Sequence, residues 1–355
     1  MSTASTRAVR LTRWGGPPVL AELPRPVPTG EEVLVRVEAA GLCRSDLHVL
    51  DAAPGGLPYR IPFTLGHEVA GRVLARGPRA VGPAVGERVV VYGPWGCGRC
   101  ANCGAGAENY CERRADLDRE LAGTGAGLGR DGGMADTVLV PSGRLLVPVG
   151  DLDAVQAAPL ADAGLTAYHA VTAVGRPPAD GASVVVLGVG GLGHLAVRIL
   201  RATTAAQVLA VDVREEALAL ADACGAHFAT LLRPDTAQVL RARTGGAGAV
   251  AVLDFAGTRS SLEVAVAVLR AGGELVVVGS GGGELTVRKP GALPPGTRIS
   301  LPFWGTVPEL ERVVALARTG ALHVEVEQVA LSNALEAFDR LRAGAVRGRA
   351  VVVPD

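Results

Sequence analysis

The 355-residue chain carries 35 Lys or Arg against 35 Asp or Glu, so its formal charge is zero and nothing favours nucleic acid or an anionic membrane. Its length suits about two domains and a sizeable core. All basic residues but Lys289 are Arg, which reads as genomic composition rather than as a binding surface.

The N-terminal MSTASTRAVRLTRW lacks the apolar centre of a secretory leader. No apolar run reaches the roughly 18 residues a spanning helix needs. A cytoplasmic protein without membrane contact is expected. There the six cysteines stay reduced, so their spacing points to metal rather than to disulfides.

Residues 1 to about 155 read as mostly β. Val-rich runs at Glu32–Val37, Arg88–Val91 and Val138–Val140 are separated by Gly/Pro turns. Two segments in this half stand out, GLCRSDLH (Gly41–His48) and GHEVAG (Gly66–Gly71). Their Cys43 and His67 are the mixed sulfur and nitrogen donors of catalytic zinc sites. Taken singly, a Cys in an apolar stretch is usually a core residue, and a lone His a satisfied loop residue.

Next comes GCGRCANCGAGAENYC, in which Cys97, Cys100, Cys103 and Cys111 are spaced C-x2-C-x2-C-x7-C. Four thiolates in so short a loop can close a tetrahedral zinc site with no open position, a structural site. The segment holds almost no apolar residues, so metal has to organise it. An iron–sulfur cluster fits poorly, given the fourth spacing and the missing trailing Pro. The charged, glycine-rich Glu112–Arg130 reads as a loop bordering this lobe.

From about Pro159 the texture changes. Apolar runs at Val184–Leu187, Val208–Val211, Val250–Asp254 and Leu275–Val278 alternate with helical patterns such as Arg214–Cys224 and Arg259–Leu269. That alternation predicts a parallel, doubly wound sheet. Its first turn is LGVGGLG. Gly188, Gly190 and Gly193 stand in GxGxxG register, with a helix expected from about Leu192. The first glycine allows a tight turn, the second lets the backbone approach a pyrophosphate, and the third lets helix and strand pack closely. Free N–H groups at the helix start then face the pyrophosphate. Asp212 follows Gly188 by 24 residues, near the distance expected of a ribose-binding carboxylate. In this strand–helix–strand context the motif points to a dinucleotide; alone it would be weak among 48 glycines.

After the Pro/Gly-rich Lys289–Gly296 come one more strand-like stretch, a helix at Val307–Arg318 and a return to short strands ending at Ala350–Val353. The plan is a β-rich domain built from both chain ends with a nucleotide domain inserted between them and catalysis in the cleft.

With these motifs in hand, the chain resembles the zinc-dependent medium-chain alcohol dehydrogenases over essentially its full length. GLCRSDLH, GHEVAG, the four-cysteine lobe, PLADAGLTAYHA (Pro159–Ala170), LGVGGLG and RGRAVVVP carry the resemblance. PLADAGLTAYHA and FWGT (Phe303–Thr306) make it most similar to bacterial NAD-dependent secondary-alcohol dehydrogenases. The implied fold is α/β: a GroES-like β-rich catalytic domain (1–155 and 297–355) with an inserted Rossmann domain (156–296).

The resemblance implies two zinc ions and NAD. Asp162 would be the third ligand of a catalytic zinc, beside Cys43 and His67. Many relatives carry Cys there; one anionic oxygen replaces one thiolate, so the charge sum with Zn²⁺ stays zero. Glu68 would coordinate zinc during ligand exchange, and Asp46 would orient His67. Ser45 would take the alcohol proton and pass it through the nicotinamide ribose to His48.

Cofactor contacts are expected from Arg44, Thr166, Gly188, Gly190, Gly191, Leu192, Gly193, Asp212, Arg214, the backbone at Val278 and Gly279, and Arg349 at the pyrophosphate. The charge of Asp212 favours NAD over NADP. Tyr59, Trp95 and Trp304 would line an aromatic substrate pocket for secondary alcohols and ketones. Polyol, primary-alcohol or aldehyde oxidation is the nearest alternative. A non-catalytic nucleotide-binding relative is the alternative of another class, and it would have lost the ligand and relay residues present here. A homo-oligomer is expected, a tetramer before a dimer. His194, at the helix start, is expected to be solvated, and Cys224 to be packed.

Overall fold

The computed structural model describes residues 5–121, 123–175 and 178–355. They divide into two compact units, one of Met1–Leu165, Trp304–Gly320 and Val324–Asp355, the other of Thr166–Phe303 and Ala321–His323. The divisions fall at Leu165 and Phe303 rather than at 155 and 296. The turns Ala154–Ala157 and Ala158–Ala161 pack on strands of the first unit and so extend it.

The first unit is built on a seven-stranded sheet. In neighbouring order run Leu146–Pro148, Arg88–Val91, Glu68–Arg76, Val33–Leu42, Arg349–Val353 and Val326–Ala330, and Thr137–Val140 also pairs with Val33–Leu42. The Val-rich runs bury fully: Val35, Val69, Val89, Val90, Val91 and Val351 have no solvent exposure. A smaller antiparallel sheet joins Val19–Pro24, Ser5–Leu11 and Phe63–Thr64.

The register of the large sheet places the chemistry. Val33–Leu42 runs antiparallel to Glu68–Arg76 with Gly41 opposite Glu68, and antiparallel to Arg349–Val353 with Leu42 opposite Ala350. The ends of three strands therefore bring Cys43, His67, Glu68 and Arg349 to one place. A glycine is needed opposite Glu68, because a Cβ on Gly41 would stand 1.9 Å from a Glu68 carboxylate oxygen.

The second unit is a six-stranded parallel sheet in the order Phe228–Leu231, Gln207–Asp212, Ser183–Leu187, Ala249–Asp254, Leu269–Val277, Arg298–Ser300. The strand order reverses between Ser183–Leu187 and Ala249–Asp254, the switch point at which such sheets bind ligands beyond their carboxyl ends. Val184, Val185 and Val186 are fully buried, as the continuous apolar run requires. Gly193–Thr203, Glu215–Ala223, Thr236–Arg243 and Arg259–Val268 form helices of this unit.

The helix Val307–Arg318 has the bounds expected, fixed by a capping box between Thr306 and Glu309. Glu112–Arg130 is not the loop expected. It holds a helix, Arg114–Leu121, and two short paired strands, Gly125–Ala126 and Gly129–Arg130. Leu117 is the reason: it packs on Cys103 and Cys111, an apolar anchor that one residue in a charged stretch hardly signals. Among the described residues no helix is long and apolar enough to cross a membrane.

Replacing Gly41 by Ala is expected to cost about 1–3 kcal/mol through overpacking against Glu68. A thermal melt checks it: the midpoint should fall by several degrees, and an unchanged midpoint would mean that Glu68 moves aside freely.

Candidate metal centre and nucleotide turn

Cys43 follows the central strand and caps the short helix Arg44–Leu50, and its N–H donates to Asp46 Oδ2 at 2.8 Å. His67 precedes Glu68–Arg76, and Asp162 follows the turn Ala158–Ala161. Cys43 Sγ lies 3.6 Å from Asp162 Oδ2, and His67 Nε2 lies 3.4 Å from the same oxygen. All three donor atoms fall within 4.8 Å of one another, and all three residues are buried.

On the far side of the ring, His67 Nδ1 faces Asp46 Oδ1 at 3.3 Å, with Asp46 wholly buried. Neither nitrogen of His67 has a hydrogen-bond partner of good geometry. Burial alone would lower the His67 pKa, but the charge of Asp46 and the contacts with Asp162, Asp46 and Cys43 hold it well above its ordinary value. The pocket thus calls for positive charge among its donors. One soft sulfur, one imidazole nitrogen and one carboxylate oxygen suit a tetrahedral divalent metal with a fourth position open. Asp46 stands where the partner of a ligating His is usually found.

Glu68 and Arg349 pair beside this triad. The Glu68 carboxylate accepts from Arg349 Nε at 2.8 Å, from a second guanidinium nitrogen of Arg349, and from the Ala163 N–H at 2.9 Å. Arg349 is only 4% exposed, and its guanidinium pairs with Glu68 and lies 3.7 Å from Asp162 Oδ2. Burial pushes the Glu68 carboxyl up, against the opposing charge of Arg349.

Ser45 is half-buried with its Oγ 3.7 Å from Cys43 Sγ, while Arg44 and His48 are exposed. Trp304 is buried; its indole N–H donates to the Ala161 carbonyl at 3.0 Å, and its ring meets His67 edge-on at 5.7 Å. Its φ of 56° makes it the non-glycine residue with a left-handed backbone among those described. Such strain, about 1–3 kcal/mol, persists where surrounding contacts over-determine it. Trp95 is also buried, bonded to the Tyr92 carbonyl and covered by the Arg130 guanidinium. Tyr59 is half-buried against Phe63.

The four-cysteine lobe assembles as the spacing suggests, with all four sulfurs within metal-binding reach of one another. Backbone N–H groups of Cys97, Cys100 and Cys103 point at the sulfurs of Cys111, Cys97 and Cys100. Burial pushes the Cys97 thiol up, but the N–H groups of Arg99 and Cys100 outweigh it and hold it at about 6, on the thiolate side at neutral pH. The buried Glu108 fastens the lobe by accepting from the Gly96 N–H at 2.7 Å and from Arg144 at 2.8 Å.

In the second unit the glycine turn has the expected shape. Gly188 has φ 85°, and a Cβ on Gly193 would meet the Gly188 carbonyl at 1.9 Å, whereas Gly190 faces open space. Asp212 Oδ2 accepts from the Val189 N–H at 2.7 Å, and its other oxygen from the N–H groups of Val213 and Arg214. Gly191 and Leu192 complete the turn, and Thr166 is buried.

His194 is a correction: it is fully buried, with Nδ1 2.8 Å from the Gly190 carbonyl, because helix packing rather than solvent receives the first turn. The N–H groups of Val278 and Gly279 both donate to the Asp254 carbonyl. Asp254 was not singled out in the sequence. It is fully buried, and its carboxylate accepts from Ala256, Gly257 and Ser261. Its position at the end of an apolar run was the available signal. Cys224 is buried as expected.

Comparison with known proteins agrees with this geometry. Residues 29–151 match the alcohol dehydrogenase GroES-like domain family, and residues 191–319 match the zinc-binding dehydrogenase family. An NAD-dependent alcohol dehydrogenase of Sulfurisphaera tokodaii is 36% identical over 98% of this chain and 100% of that protein. The crystal structure of the alcohol dehydrogenase from Aeropyrum pernix superimposes with a TM-score of 0.89 at 34% identity, covering 98% of this chain and 100% of that one. An acetophenone reductase from Geotrichum candidum in complex with NAD gives a TM-score of 0.85 at 30% identity, covering 98% and 97%.

Replacing Asp46 by Asn removes the charge that faces His67 Nδ1. Metal affinity of the triad is expected to fall about 10- to 100-fold, as for other partners of ligating histidines. Competition with a chelator measures it, and wild-type affinity in the variant would show that Asp46 has no part in holding the ring.

Proposed function

The chain belongs to the zinc-dependent medium-chain alcohol dehydrogenases, and from that premise we propose that it interconverts secondary alcohols, apolar or aromatic, with their ketones. That it is an NAD-dependent oxidoreductase of small alcohols or ketones follows from the full-length similarity. The choice of secondary substrates, the ligand set Cys43, His67 and Asp162, a cytoplasmic location and a tetrameric assembly are our readings. The observation that carries the ligand set is the convergence of three buried donors around an imidazole with unfilled bonding capacity.

When bound there, zinc would polarise the substrate oxygen and lower its proton affinity. The protein's own residues do the rest. Asp46 fixes the His67 ring and, through the Cys43 N–H, the start of the helix that carries the thiolate. Ser45 lies beside the Cys43 sulfur, where a substrate hydroxyl can pass it a proton, and the exposed His48 returns that proton to solvent. Arg349 keeps Glu68 from competing with the substrate for the open position. The Trp304 ring, next to His67, gives the site an aromatic wall, which favours apolar secondary alcohols over polyols. Asp212 repels a 2′-phosphate and so favours NAD. Cys97, Cys100, Cys103 and Cys111 of the lobe would hold the second zinc.

The test is zinc content per chain alongside NAD reduction with primary, secondary, aromatic and polyol alcohols, on the wild type and on Asp162→Ala. Two zincs and secondary-alcohol turnover in the wild type, falling to one zinc and no turnover in the variant, is the expected result. One zinc in both proteins without alcohol turnover would overturn the reading.

A further inference from the structure

Trp304 holds more of the first unit together than a pocket wall needs to. Its indole N–H donates to the carbonyl of Ala161, the residue before Asp162, at 3.0 Å, and its ring lies edge-on to His67. The segment that carries it is gripped in turn by the cysteine lobe. The Tyr92 hydroxyl donates to the Gly305 carbonyl at 2.6 Å and accepts from the Asn109 N–H at 3.1 Å. The Val307 N–H donates to the Gly106 carbonyl at 2.8 Å. Gly106 and Asn109 both lie between Cys103 and Cys111, inside the stretch that the four sulfurs close. Tyr92 is fully buried, so its hydroxyl has these two partners in place of water.

We propose that the cysteine lobe positions the Asp162–His67 centre through Tyr92 and Trp304. The lobe fixes Asn109 and Gly106; these hold Gly305, by way of Tyr92, and Val307; and Trp304, the residue before Gly305 and strained in its backbone, pins the carbonyl that precedes Asp162. Trp304 and Tyr92 are positioning residues, and the lobe is a support for the catalytic metal as well as a staple for its own loop. The inference rests on the ligand set proposed above. Its chemistry is ordinary: a carboxylate ligand on a turn is only as well placed as the peptide before it, and outer partners of ligands typically carry 10- to 100-fold in metal affinity.

The test uses the holoenzyme and two nearly isosteric variants, Trp304→Phe, which loses the indole N–H, and Tyr92→Phe, which loses the hydroxyl. Three quantities are read: the rate at which the catalytic metal is lost to EDTA, the visible absorption of the enzyme after exchange with Co²⁺, and the thermal midpoint. Trp304→Phe is expected to release that metal about tenfold faster and to shift the cobalt bands. Tyr92→Phe should move both readouts in the same direction by less.

Wild-type release and an unchanged cobalt spectrum in Trp304→Phe, with only KM for bulky alcohols altered, would overturn the proposal and leave Trp304 a substrate wall. A change in Trp304→Phe without one in a folded Tyr92→Phe would overturn the link to the lobe. If Tyr92→Phe fails to fold, Val307→Pro, which removes the N–H that donates to the Gly106 carbonyl, takes its place as the test of the link, and unchanged readouts in it overturn that link. A wild type that holds one metal only would sink the ligand set itself, an outcome distinct from two metals with unresponsive variants.

Discussion

Like charges held close together out of water are the constraint on which the first unit depends. Asp46, Glu68 and His67 are at most 1% exposed, and Asp162 and Cys43 are nearly as deep. Three carboxylates and a thiol in such a volume would repel one another strongly if nothing offset them. Arg349 is the permanent cation within the group, and it is spent on Glu68. What remains, Cys43, Asp162 and an imidazole steadied by Asp46, is short of positive charge, and a divalent cation is the economical way to supply it. Much of the local backbone serves this arrangement. Gly41 makes room for the Glu68 carboxylate, the Ala163 N–H satisfies one of its oxygens, and the Cys43 N–H satisfies Asp46.

The two units meet charge differently. In the nucleotide-binding unit Asp212 and Asp254 are also buried, yet each is surrounded by backbone N–H groups at the carboxyl ends of parallel strands. Peptide dipoles do there what Arg349 and a metal do in the first unit. That is a matter of topology: a parallel sheet delivers turns and helix starts to one edge, while an antiparallel sheet with closed ladders has few free N–H groups to offer.

Much of this was legible in the sequence where the determinant was local. Val184–Leu187 and Val208–Val211 announce buried parallel strands by unbroken apolar content, and the helix Val307–Arg318 is announced by Thr306, Pro308 and Glu309. The four cysteines carry their own geometry, and so does the glycine turn. The identity of the third ligand came from resemblance, since nothing in the spacing of Asp162 relates it to Cys43, 119 residues away. What was not legible shares that cause. The pairing of Arg349 with Glu68, 281 residues apart, leaves no trace in either motif. His194 looked solvated because a first-turn histidine has no local signal of burial. Leu117 had to be seen against Cys103 and Cys111 before its helix made sense.

The pairing of Glu68 with Arg349 also sets an order of events in the life of the chain. The strand that bears Arg349 is laid down after the whole nucleotide unit, and at about 5–20 residues per second many seconds pass between synthesis of the two partners. Until then Gly41 and Glu68 can pair in their ladder, but the Glu68 carboxylate lacks the guanidinium that accompanies it in the folded chain. A contact of such high sequence separation forms late. The four donors Cys43, His67, Glu68 and Asp162 are thus all synthesised well before Arg349, and the ion pair that holds the Glu68 carboxylate closes only when the strand Arg349–Val353 joins the sheet.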